Sequence, residues 1–239
     1  MLSKNKSNDL NDGGDNLVKE QVEERDQRIR DGLAKIGEEG TAEELIEFYN
    51  KNAKEFEETR GLVRSNPGRE HLARAVSRAV SDKSARLLEC GAGTGAGAEY
   101  VFQQGFTNID ALEPSQGMLD IAKIKNIYKH IYCAAFQSDK QLDIQDDTYD
   151  ALFFSASFLP GHLGVEHLPE MIRILKPGGV IIFNVADKYL LRAEEFKDGK
   201  LDSALQSFVA DGRFESVSTE RGPYRVQEDC NIYTIYIAK

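Results

Sequence analysis

The residues with the most chemical potential lie together at Glu89-Cys90-Gly91-Ala92-Gly93-Thr94-Gly95-Ala96-Gly97. Apolar Leu87-Leu88 leads into an acid, after which glycine occupies every second position. The pattern predicts a strand, a tight turn, and a helix opening near Gly95. Glycine suits such a turn because the backbone must enter dihedrals closed to residues with a Cβ, and a ligand must come close to the main chain. The N–H groups at the start of the next helix and its partial positive charge favour a small anion, a phosphate or a carboxylate. Glu89 is placed to meet a cation or hydroxyls of the same guest. Twenty residues beyond Gly93, Glu113 ends a second apolar run, where an acid takes ribose hydroxyls.

Other reactive residues are scattered. His162, in Ser155-Ala156-Ser157-Phe158-Leu159-Pro160-Gly161-His162-Leu163, is the candidate general base nearest the glycine stretch once the chain is folded, and no catalytic residue is assigned beyond it. Asp187, just after an apolar strand, is a second residue able to reach the site. His167 falls at a helix start and reads as structural, while His71 and His130 carry no motif. Tyr189 beside Lys188 has the wrong spacing for a YxxxK oxidoreductase pair. Cys90, Cys133 and Cys230 form no CxxC pair, so neither a zinc knuckle nor a disulfide framework is predicted, and no metal site. Cys90 and Cys133 sit in apolar runs and read as small core residues.

The elements that position these residues alternate. Three helices come first. Leu17–Ile36 carries Val18, Val22, Ile29, Leu33 and Ile36 at helical spacing among charges. A capping box at Thr41/Glu44 opens the second, with Leu45, Ile46, Tyr49, Ala53 and Phe56 on one face. Pro67 opens the third. Then come a helix over Gly95–Gln104, a strand over Asn108–Glu113, and a helix capped by Ser115. Strands are predicted at Ile127–Cys133, Thr148–Ser155 and Val180–Val185, with a helix at Glu166–Leu175 ended by Lys176-Pro177-Gly178-Gly179. Strands separated by helices imply right-handed crossovers and a parallel sheet covered on both faces. After a helix at Leu201–Val209, strands at Arg213–Glu220 and Ile232–Ile237 flank an expected turn at Gly222-Pro223, so the end of the chain pairs antiparallel.

Composition bounds the function. With 239 residues, the chain suits one sizeable domain with an appendage. A formal net charge of −10 without a basic block argues against nucleic-acid partners. Neither a membrane-spanning run nor a signal region is present, so a cytoplasmic protein is expected, with the nucleus open as well. Residues 1–15 read as a disordered tail, 16–82 as helices that pack on the core or cover it, and 83–239 as the main domain.

Two ligands fit the glycine stretch. Gly91, Gly93 and Ala96 satisfy the dinucleotide fingerprint, with Glu113 as its acid. Glu89-x-Gly91-x-Gly93-x-Gly95 equally matches the loop of S-adenosylmethionine enzymes. Further segments favour the second. Glu113-Pro114-Ser115-x-x-Met118-Leu119, Leu142-Asp143-Ile144-Gln145-Asp146-Asp147-Thr148-Tyr149-Asp150, Ile174-Leu175-Lys176-Pro177-Gly178-Gly179 and Phe48-Tyr49-Asn50-x-x-Ala53-x-x-Phe56 stand in the expected order. From about Tyr49 to the end, the chain resembles the class I S-adenosylmethionine-dependent methyltransferases.

That resemblance implies an α/β, Rossmann-like, seven-stranded sheet with helices on both faces, its last strand antiparallel, and an N-terminal helical extension. It implies S-adenosylmethionine as cofactor and S-adenosylhomocysteine as product. Gly91, Ala92, Gly93, Thr94, Gly95 and Glu89 would take the methionine portion, and Glu113 the ribose. Pro114 and Met118 would pack on the adenine, bordered by Ala135 and Phe136. Tyr49 and Ser155 would flank the sulfonium. Many relatives carry an acid soon after the third strand for the adenine amino group. Here none occurs before Asp139, which leaves Gln137, Ser138 or backbone groups for that contact. The segment after the fourth strand is not of the Asn-Pro-Pro-Tyr type used on planar nitrogens. A small-molecule or protein acceptor is expected, through an active methyltransferase. A silent cofactor-binding module and a nicotinamide oxidoreductase are the alternatives.

Overall fold

The structure is a computed structural model and describes residues 24–25, 27–29, 31–33, 35–36, 40–62, 66–225 and 228–238. The expected tail and the first turns of the expected first helix, with Val18 and Val22, lie outside the described residues. From there on the helices are α1 (Ala42–Leu62), α2 (Pro67–Ala79), α3 (Ala96–Gln103), α4 (Gln116–Ile124), α5 (Leu168–Ile174), α6 (Asp187–Arg192) and α7 (Lys200–Ala210). The strands are β1 (Leu87–Cys90), β2 (Ile109–Leu112), β3 (Tyr128–Tyr132), β4 (Tyr149–Phe154), β5 (Leu175–Ala186), β6 (Phe214–Arg225) and β7 (Glu228–Ile237).

The strands form one seven-stranded sheet in the order β3-β2-β1-β4-β5-β7-β6. The first five strands are parallel, and β7 runs antiparallel between β5 and β6. Side chains alternate across it, so adjacent apolar residues feed opposite cores. Leu88, Phe154 and Phe183 pack toward α5 and α7 through Leu168, Met171, Leu201 and Leu205. Leu87, Phe153 and Ile182 pack toward α2 and α3 through Leu72, Val76, Ala98 and Val101. This double coverage is why the inner strands are apolar without a break. Burying each such Leu, Ile or Phe contributes about 1.5–3 kcal/mol before chain entropy is charged against it.

The expected caps are in place. Thr41 N–H donates to Glu44 Oε2 at 2.9 Å and Glu44 N–H to Thr41 Oγ1 at 3.2 Å. Asn66 caps α2 ahead of Pro67, and Ser115 Oγ accepts Met118 N–H at the start of α4.

Four details differ from expectation. The helix expected at Glu166–Leu175 is a 3-10 turn over Val165–His167 followed by α5, and Leu175 already belongs to β5. Lys176–Gly179 does not end that helix. Tyr149 pairs with Leu175 and Ala151 with Val180, so these four residues bulge opposite Asp150, where Pro177 owes the ladder no N–H. The terminal hairpin does not turn at Gly222-Pro223, because Pro223 pairs with Asp229 and Arg225 with Glu228. Gly222 is small for another reason: a Cβ there would fall 1.9 Å from the His71 ring of α2. Finally, Cys133 is exposed, since it lies just past β3, the half-covered edge of the sheet.

Candidate functional site

The site lies where β1, β2 and β4 end. Gly91, Gly93 and Gly95 have φ of +66°, +54° and +84°, the left-handed region that glycine enters without penalty. Gly91 and Ala92 N–H both donate to Leu112 O, which ties the turn to the end of β2. Gly95 then starts α3 with no side-chain cap.

Glu89 turns under this helix start. Its carboxylate accepts the Tyr128 hydroxyl and the Ala98 N–H. A Cβ on Gly97 would lie 2.1 Å from Glu89 Oε1, so the glycine admits the acid. Burial pushes the Glu89 carboxyl up to about 7, against the pull of the Tyr128 hydroxyl.

Glu113 faces the same turn from β2. Gly93 N–H donates to its Oε2 and Ser115 N–H to its Oε1, both at 2.9 Å. The hydroxyl of Thr94, inside the turn, is wholly buried and has no hydrogen-bond partner among the described residues. A buried polar atom in that state is costly unless a ligand or water meets it.

From β4, Ser155 approaches Gly97, its Cβ 3.1 Å from where a Cβ on that glycine would sit. Ser157 Oγ donates to Gly91 O at 3.0 Å. Between them Ala156 has φ +59°, a strained conformation for alanine, and its N–H donates to Asn184 Oδ1 at 2.8 Å. Asn184 Nδ2 is buried without a partner among the described residues.

Tyr49 and His162 meet, the Tyr49 hydroxyl lying 2.7 Å from His162 Nε2. Beside Tyr49, Asn50 Oδ1 accepts Ser115 Oγ–H at 2.8 Å and Gly117 N–H at 2.9 Å. Sequence reasoning gave Asn50 no role. Its signals were its place in the Phe48–Phe56 segment and a weak helix former in mid-helix next to Tyr49.

The other expected residues lie around these. Met118 is buried against Ile29, Ala53 and Phe56 beneath α1. Pro114 and Ala135 are half-buried, and Phe136 is buried with its ring 6.4 Å from that of His167. Next to them, a cavity of about 320 Å³ opens between Leu112, Tyr132, Cys133, Ala134, Leu142 and Ile144. Asp187 pairs with Arg221 of β6, and His167 Nδ1 accepts Gly164 N–H at 3.0 Å. Among the described residues, no cluster of His, Cys, Asp and Glu is built to hold a metal, and no helix is long and apolar enough to cross a membrane.

This sheet order, with a glycine turn after β1 and an acid after β2, defines the class I methyltransferase fold, and residues 88–183 match the family described as "Methyltransferase domain". The chain is similar to human methyltransferase-like protein 27, with 25% identity over 130 residues, 54% of this chain and 52% of that protein. It thus spans about half the length of the curated relative it matches. Among solved structures, the 1,6-didemethyltoxoflavin-N1-methyltransferase of Burkholderia thailandensis, described with bound S-adenosylhomocysteine, matches with TM-score 0.57 and 14% identity over 80% of this chain and 87% of that one. The [4+2]-cyclase SpnF matches with TM-score 0.52 and 19% identity over 71% and 80%. At these identities, the two structures attest the fold.

Proposed function

We propose that the chain is an S-adenosylmethionine-dependent methyltransferase acting on a small-molecule or protein acceptor. The observation that carries this reading is Glu113 held on the Gly93 amide, so that ribose-binding acid and glycine turn form one surface. The residues fit the group: an orphaned Thr94 hydroxyl in the turn, and a buried acid, admitted beside the helix start by Gly97, that suits an ammonium. Gly91, Ala92, Gly93, Thr94 and Gly95 would hold the methionine end with Glu89, and Glu113 the ribose. Pro114, Ala135 and Phe136 would border the adenine, with Met118 securing α1 beside them. When bound, the nucleotide supplies a methyl group activated on a sulfonium.

The chain's own part is mostly positioning. Tyr49 offers an aromatic face to a sulfonium and Ser155 an oxygen. His162 Nε2 lies 2.7 Å from the Tyr49 hydroxyl, so it could take a proton from an acceptor only with that contact released. The acidic composition disfavours polymeric anions as acceptors. Free Cys90, Cys133 and Cys230 suit a reducing, cytosolic setting.

Because a neighbour of this fold is described as a [4+2]-cyclase, nucleotide binding is tested apart from transfer. Calorimetric titration with S-adenosylmethionine, S-adenosylhomocysteine, NADH and NADPH in parallel tests the binding step. Micromolar binding of the two sulfur nucleotides with silence from the nicotinamides is expected. Nicotinamide binding instead would overturn the reading.

A further inference from the structure

Tyr49 and Asn50, neighbours on α1, reach two different segments. Asn50 bonds the start of α4, which follows β2, and Tyr49 bonds His162 in the loop that follows β4. β2 and β4 flank β1 in the sheet, roughly 10 Å apart at about 4.8 Å per strand spacing. Helix α1 therefore passes across the end of β1, over the glycine turn.

The two attachments differ in chemistry. Asn50 is pressed into place, since a Cβ on Gly117 would lie 2.8 Å from its carbonyl oxygen. The other includes a hydrogen bond to an imidazole. His162 Nδ1 lies 3.0 Å from Pro160 O, an atom that only accepts, so Nδ1 carries the proton. Nε2 of the neutral ring then accepts the Tyr49 O–H, and the Tyr49 ring is set edge-on to the imidazole at 5.6 Å.

We propose that His162 is a positioning residue: its unprotonated Nε2 holds Tyr49 across the mouth of the nucleotide cleft, and nucleotide exchange requires this hydrogen bond to break. The inference rests on the nucleotide reading above and adds the contact that governs entry. The groups facing the imidazole are the Tyr49 phenol from α1 and the Pro160 carbonyl from its own loop. Burial lowers the His162 value, so the closed pair binds protons less readily than an open, solvated imidazole. Closure is therefore complete above the ordinary histidine range and is lost as pH falls through it.

Stopped-flow release of S-adenosylhomocysteine tests this. Tyr49→Phe should speed release about tenfold at neutral pH, on the scale of one hydrogen bond. His162→Gln keeps an acceptor for Tyr49 but cannot titrate. It should hold the wild-type neutral rate and lose the acceleration that the wild type shows toward pH 5.5. Wild-type release from Tyr49→Phe, or a wild-type pH profile from His162→Gln, overturns the proposal. Hydrogen exchange of the α1 amides around Tyr49 in ligand-free protein gives an independent reading: faster in Tyr49→Phe if the pair closes the helix, unchanged if it does not. Should wild type fail to bind the nucleotide at all, the function reading falls, and exchange still decides the pair.

Discussion

The two ends of the parallel sheet treat polar groups in opposite ways. At the amino end, Asp110 is wholly buried, yet both of its oxygens are engaged. Arg86 Nε donates at 2.9 Å, the Tyr149 hydroxyl at 3.0 Å, and the His130 N–H at 3.0 Å. At the carboxyl end, the Thr94 hydroxyl and Asn184 Nδ2 are buried without partners among the described residues, Ala156 is strained, and Glu89 is a buried acid raised toward neutrality. A fully satisfied buried network stiffens a fold, whereas unmet polar groups and backbone strain cost stability and persist where a ligand repays them. That contrast supports reading the amino end as scaffold and the carboxyl end as the candidate site.

Substitutions can break that contrast, and the largest effect is expected at Gly97→Ala. Its new Cβ would collide with Glu89 Oε1, so the acid must leave the helix start and nucleotide binding should vanish by calorimetry. Next, Asp110→Ala leaves the Arg86 guanidinium and the Tyr149 hydroxyl without their acceptor and should destabilise the fold by about 3 kcal/mol in urea unfolding. Nucleotide affinity of the remaining folded protein should be unchanged; a matching loss would erase the distinction between the two ends. Glu113→Ala should cost roughly 1.5–3 kcal/mol of S-adenosylmethionine affinity in the folded protein, the scale for removing a charged acceptor. Equal affinity would place the ribose elsewhere.

The smallest effect is a pH dependence. The folded Glu89 carboxyl is held above its free value, so it retains its proton in the fold as pH rises from about 4.5 to about 7. Its contribution to stability is greatest below that window and declines through it. A cationic ammonium favours the ionised form, so affinity for S-adenosylmethionine should rise by up to tenfold per pH unit below about 7 and level off above. Glu89→Gln should flatten the profile. An identical profile in the variant would move the titration to another group.

What could be read from the sequence was local. The glycine turn, the Thr41 and Ser115 caps and the Pro67 helix start are each decided within about four residues, and all are found. Asn50, within the Phe48–Phe56 segment but given no role, and Asn184 could not be assigned because their partners lie 65 and 28 residues away. Gly222 misled for the same reason. A glycine beside proline reads as a turn, but here a histidine from a distant helix demands its small size. Cys133 misled because nothing in its apolar run marks β3 as the edge of the sheet.

Amide shift mapping during titration with S-adenosylhomocysteine tests most directly whether the carboxyl end is the site. Gly91, Gly93, Thr94, Ser115 and Ser155 should move, while Arg86, Asp110 and His130 at the opposite end stay still. Shifts centred on the Asp110 network, or none at the glycine turn, would contradict the account.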